Sequence, residues 1–97
     1  MPGQIKLGDE VLNVAAGAAA VKPADATAHQ NGTWSFTVNS GTVRFRALTN
    51  SASSDVASAT VGHLLSAGSA FIEAPCNASC GTFFSPDGAE VYIEYWK

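Results

Sequence analysis

Two alternating stretches near the middle of the chain, Thr33 to Val38 and Thr42 to Leu48, constrain its fold more than any other feature. Trp34, Phe36 and Val38 share one side of the first, and Val43, Phe45 and Ala47 share one side of the second. Threonine, serine and arginine occupy the intervening positions. Side chains of an extended chain alternate between faces, so the pattern predicts strands with one dry and one wet side. Asn39-Ser40-Gly41 between them has the composition of a turn, and the spacing predicts a β-hairpin closed there and preceded by the turn signal Asn31-Gly32. The same alternation returns over Ala89 to Trp96, with Val91, Ile93 and Tyr95 on one face and Tyr92, Glu94 and Trp96 on the other. Both faces of this last strand carry aromatics, so Tyr92 and Trp96 are expected to pack under a loop, against a subunit or on a partner.

Shorter candidates fill the rest. Gln4 to Leu7 and Val11 to Val14 read as two short strands turning at Gly8-Asp9. Ala70 to Glu73 and Thr82 to Phe84 read as further strands, the former closed by Pro75. Val56 to Gly62 reads as a weakly pairing segment, and His63-Leu64-Leu65 as the lead into the turn Ser66-Ala67-Gly68-Ser69. Thr49 to Asp55 reads as a surface loop. Ser85-Pro86-Asp87-Gly88 has the proline and glycine positions of a tight turn. From Ala15 to Gln30 the residues are mostly small; Gly17 weakens a helix there and Pro23 ends it, so an extended arm or irregular loop over residues 13–31 is expected. The whole predicts one domain, residues 1–97, of all-β class: an antiparallel β-sandwich, Ig-like or jelly-roll-like, or a small barrel, with an Ala-rich N-terminal arm.

Composition narrows the function. The net charge is −3 and only 13% of residues are charged, with no basic patch able to neutralise a row of phosphates, so nucleic acid and membrane are not expected partners. No apolar run approaches the roughly 20 residues that span a bilayer. The first ten residues lack the basic start and apolar core of an export signal, which predicts assembly in a cytoplasm. Ala, Gly, Ser and Thr make up 43 of the 97 residues, and such a surface suits close approach to another protein.

No chemistry-bearing constellation stands out. His29, His63, Cys76 and Cys80 are the soft donors besides Met1, and their spacing is unlike a zinc finger, so no metal or other cofactor is expected. Cys76 and Cys80 are either free thiols or a small local bridge. Gly-x-Ser-x-Gly is absent, and Glu90 and Glu94 share the outward phase of one strand, so no enzymatic activity is expected. Asn31-Gly32-Thr33 and Asn77-Ala78-Ser79 match the glycosylation pattern, which carries no meaning in a cytoplasm. Arg44 and Arg46 project side by side from the wet face, either as a solvated pair opposite Glu90 or Glu94 or as a contact to an acidic partner. Trp34, Trp96, Tyr92 and Tyr95 read first as core, with a sugar-stacking platform as the alternative.

The stretch Val61-Gly62-His63-Leu64-Leu65-Ser66-Ala67-Gly68-Ser69-Ala70-Phe71-Ile72-Glu73, followed by the terminal strand Ala89-Glu90-Val91-Tyr92-Ile93-Glu94-Tyr95-Trp96, resembles small structural proteins of tailed bacteriophage virions. The resemblance implies a β-sandwich subunit seated on a capsid or at the neck, with an extended N-terminal segment gripping its neighbours. The expected function is that of a capsid decoration, or cement, protein of the virion. A homotrimer bound to the major capsid protein or another virion protein is the expected form. At about 25 cal/mol per Å², a contact of a few hundred Å² repeated over a shell offsets considerable internal pressure. Val14, Val21, Arg44, Arg46, Tyr92 and Trp96 are the candidate contacts. The alternatives are a neck, tail or receptor-binding component, or a carbohydrate-binding module.

Overall fold

The computed structural model of the chain describes residues 5–25, 33–48, 55–71 and 80–97, with the side chain of Phe71 excepted. Its strands are β1 (Lys6–Val14), β2 (Thr33–Ala47), β3 (His63–Ser66), β4 (Ala70–Phe71), β5 (Gly81–Phe84) and β6 (Ala89–Trp96). All pair antiparallel, and the described residues contain no α-helix, so the fold is all-β as the alternation predicts. His29, the turn Asn31-Gly32, the loop over 49–54, and Glu73, Pro75, Cys76 and Asn77 lie outside the described residues.

The sheet is creased across its middle and folded onto itself. The hairpin expected at Asn39-Ser40-Gly41 does not form: Thr33–Ala47 is a single strand of 15 residues. Its first half pairs with β6 from Thr33↔Trp96 to Gly41↔Ala89, and its second half lies between β3 and β5. The reason lies in what the dry faces need. In a hairpin Trp34, Phe36 and Val38 would lie beside Val43 and Phe45 in one layer with nothing above them, whereas the crease turns the two halves to face each other across a shared core. Apolar residues occupy even positions up to Val38 and odd ones from Val43, and the bulge between Val38 and Ser40 supplies the extra residue that this change of phase requires.

The neighbouring strands bend at the same level. β5 and β6 are two halves of one path interrupted at residues 85–88, and β3 and β4 are two halves interrupted at the turn over 66–69. The first path bends after Val14. Each path carries a glycine with positive φ at the crease, namely Gly17 (65°), Gly41 (77°), Gly68 (93°) and Gly88 (91°). At Gly41 the need is also steric, because a Cβ there would penetrate the carbonyl oxygen of Gly88 and lie 3.0 Å from Ala89 Cα. The Ser85 hydroxyl, fully buried, ties the two layers at the crease by donating to the Thr42 carbonyl at 2.7 Å.

Three further expectations are corrected. Lys6–Val14 is one strand and not two, because β6 offers an unbroken partner; the irregularity falls between Lys6 and Gly8. Residues 13 and 14 belong to that strand, and the described part of the arm runs back over its own domain, with Val21 and Phe83 exchanging both backbone hydrogen bonds at 2.9 Å. The segment over 55–62 forms no strand and covers the outer side of β2 and β5, where the Ala57 amide donates to Thr82 Oγ1 at 3.0 Å. Thr82 Oγ1 in turn donates to the Arg46 carbonyl at 2.8 Å, which explains a fully buried threonine.

The core lies inside the fold of the sheet. Trp34, Phe36, Phe45 and Phe83 form one aromatic cluster, with Phe36 and Phe83 edge to face at 4.9 Å and Phe36 and Phe45 at 4.8 Å. Leu12, Val14, Val38, Val43, Val91, Ile93 and Tyr95 complete it. Gly81 is required where β5 passes the indole, since a Cβ there would sit 2.7 Å from Trp34 Cζ2.

Candidate partner-binding surfaces

The outer face of the β1–β6 layer carries a polar network. Lys6 Nζ lies 2.7 Å from Asp9 and 3.2 Å from Glu94, and it donates to the Tyr92 hydroxyl, which donates to Asp9 Oδ2 at 2.8 Å. The ammonium and phenol hold the Asp9 carboxyl below the usual range, and hydrogen bonds to Asp9, Tyr92 and Glu94 raise the lysine. Both groups are solvated, so the network orders a surface more than it stabilises the fold. Trp96 is half-buried beside it, its indole N–H donating to Ser35 Oγ at 3.2 Å. Tyr92 and Trp96 therefore sit on the outward side of β6 as their phase predicts. Trp34 is a core residue, so any sugar-stacking surface would rest on Trp96 and Tyr92 alone.

Arg44 and Arg46 leave β2 on the same side, as expected, and meet different surroundings. Arg44 is a bracket: its Nε donates to the Ala59 carbonyl at 3.0 Å and its Nη1 to the Gly62 carbonyl at 3.1 Å, fastening the covering segment to the sheet. Neither Glu90 nor Glu94 faces the pair; Glu90 accepts from Asn39 Nδ2 at 3.2 Å, and Glu94 belongs to the Lys6 network. Among the described residues no hydrogen bond or ion pair engages the Arg46 guanidinium. It lines an open concavity of about 380 Å³ together with Phe45, Ala47, Val61, Gly62 and His63.

The arm has a fastening that no local pattern announces. Glu10 points to the inner side of β1, where its carboxylate accepts the Tyr95 hydroxyl and the amides of Ala24 and Asp25, the latter two at 3.1 Å. Burial, and then this acceptor, push the Tyr95 hydroxyl well above the usual tyrosine range. Val14 is a core side chain with 3% exposure, so its candidacy as a contact fails on burial. Val21 is half-buried against the core beside β5.

Sequence reasoning passed over the exposed large apolar residues: Ile5 (70%), Leu64 (60%), Val11 (51%), Leu7 (42%) and Val61 (38%). Ile5, Leu7 and Val11 are on or next to β1, and Val61 and Leu64 are next to or on β3, the two ends of the strand order β1-β6-β2-β3. A signal existed. Val11-Leu12 and Leu64-Leu65 are adjacent apolar pairs, and in a strand one member of each must face outward.

Among the described residues no three His, Cys, Asp or Glu side chains converge as a metal site would require. No protein-family model matches the chain, and neither a curated protein nor a solved structure does.

Proposed function

We propose that the protein is a structural component of a tailed-phage virion, a decoration protein that binds the outside of a head and stabilises it by contact. The observation that carries this reading is the set of large apolar side chains left in solvent at both lateral margins of an otherwise well-packed body. Exposed apolar clusters of this kind mark surfaces that another protein covers. The crease supports it as well: residues 15–18, 39–40 and 66–68 bring exposed, mostly small side chains to one end of the body. Small side chains have little rotamer freedom to lose on contact, which favours docking there.

The strand-and-turn pattern that resembles phage virion proteins falls on β3, β4 and β6, the elements that frame one margin and the middle of the sheet. Its function is mechanical, through buried area repeated over a shell. The test is addition of the purified protein to empty expanded heads of the virus that encodes it. Saturable binding and a raised rupture temperature are expected. Failure to bind any head state, expanded or unexpanded, would overturn the reading.

A further inference from the structure

The geometry points to head-to-tail self-association, in which the β1 margin of one copy docks on the β3 margin of the next. This deepens the assembly reading above and rests on it only for the role of the resulting oligomer. The two margins differ in composition and are complementary. One carries Ile5, Leu7 and Val11 with Asp9 among them, and its Lys6 is already shared between two carboxylates, Asp9 and Glu94. The other carries Val61 and Leu64 beside the concavity lined by the Arg46 guanidinium, which no described residue engages by a hydrogen bond or ion pair. Each margin offers apolar area, and the charge left over on one is opposite to that on the other. An acidic side chain of the β1 margin meets in the concavity a planar cation suited to carboxylates.

Size permits the contact. β1 has nine residues, about 30 Å of strand, and the molecule is 18 Å through its thinnest dimension. The β3 margin is the shorter, about 20 Å from Val61 to Ser66, and over that thickness it gives about 360 Å² per partner, or about 700 Å² in total, the size of a weak contact. A contact between two unlike patches is heterologous, and it repeats until the rotation closes a ring. A two-fold contact of β1 with β1 would instead oppose acid to acid and leave Val61, Leu64 and Arg46 uncovered.

Substituting one exposed residue on each margin separates these arrangements. Ile5→Asp damages the β1 margin alone, and Leu64→Asp damages the β3 margin alone. Both side chains are in solvent, and circular dichroism checks that each variant retains the fold. Sedimentation equilibrium at on the order of 100 μM protein should give a closed multiple of the chain mass for the wild type and a monomer for each variant. An equimolar mixture of the two variants should give a dimer, because one intact copy of each margin remains. Arg46→Glu should weaken wild-type association about tenfold. A monomeric wild type, a variant that still self-associates, or a mixture that stays monomeric would each overturn the proposal. Head binding is measured separately, so a ring that binds no head sinks the virion role and leaves the interface standing.

Discussion

Gly41→Ala tests the crease, on which the architecture depends. Gly41 has φ of 77°, where an L-residue costs about 1–2 kcal/mol. The new Cβ would also collide with the Gly88 carbonyl and crowd Ala89 Cα and Cβ, each at 3.0 Å, and these are backbone or short side-chain atoms that cannot swing away. Opening the crease to relieve that contact costs on the order of 1–3 kcal/mol. The loss of freedom in the unfolded chain returns about 0.4–1 kcal/mol, leaving a net destabilisation of about 1–4.5 kcal/mol. For a domain of this size that is a fall in Tm of about 5–25 °C. Gly17→Ala is the control, since Gly17 shares the positive φ (65°) but an added Cβ there would meet nothing within 4 Å. Its expected cost is only about 0–1.5 kcal/mol. Urea unfolding followed by circular dichroism measures both. Equal destabilisation by the two substitutions would refute the close approach of the two halves at Gly41.

Phe45→Ala removes a ring that packs against both Phe36, at 4.8 Å, and Phe83, at 5.2 Å, and should cost about 3–5 kcal/mol in the same assay. Glu10→Ala should speed hydrogen exchange at Ala24 and Asp25 and lower stability by about 1–3 kcal/mol, with Glu10→Gln intermediate; unchanged exchange would mean the carboxylate does not hold the arm. The folded Tyr95 hydroxyl ionises above its unfolded value of 10.0, so its contribution to stability is complete below pH 10 and is lost as pH rises beyond that toward the folded value. Absorbance at 295 nm should therefore show the Tyr95 phenolate appearing together with loss of the native circular dichroism. A tyrosine step near pH 10 with the fold intact, absent in Tyr95→Phe, would contradict this.

Several features were legible from local chemistry. The faces of β6 follow directly from its alternation, and Trp34, Phe36, Val38, Val43 and Phe45 are buried as their phase requires. The outward pair Arg44 and Arg46 was equally plain, but their different environments were not. Arg44 meets carbonyls from 15 and 18 residues away, and no local pattern encodes where a covering segment will settle. The apolar margins were partly visible as adjacent apolar pairs, yet which member faces solvent depends on the bulges that set each register.

Alternation acts between immediate neighbours, so the order of residues alone dictates that this chain forms strands and which side chains share a face. It also puts glycines where the backbone must leave ordinary φ, without saying whether each marks a turn or a fold in a continuous strand. That Asn39-Ser40-Gly41 is a crease emerges only when the whole body closes. A hairpin and a creased strand need the same local residues, and they differ in whether the two dry faces lie side by side or close over each other. Burial of the aromatic cluster between the layers selects the second. The course of the arm is set in the same way, by Glu10, Tyr95 and Phe83, partners remote in sequence that become neighbours once the sheet has folded over.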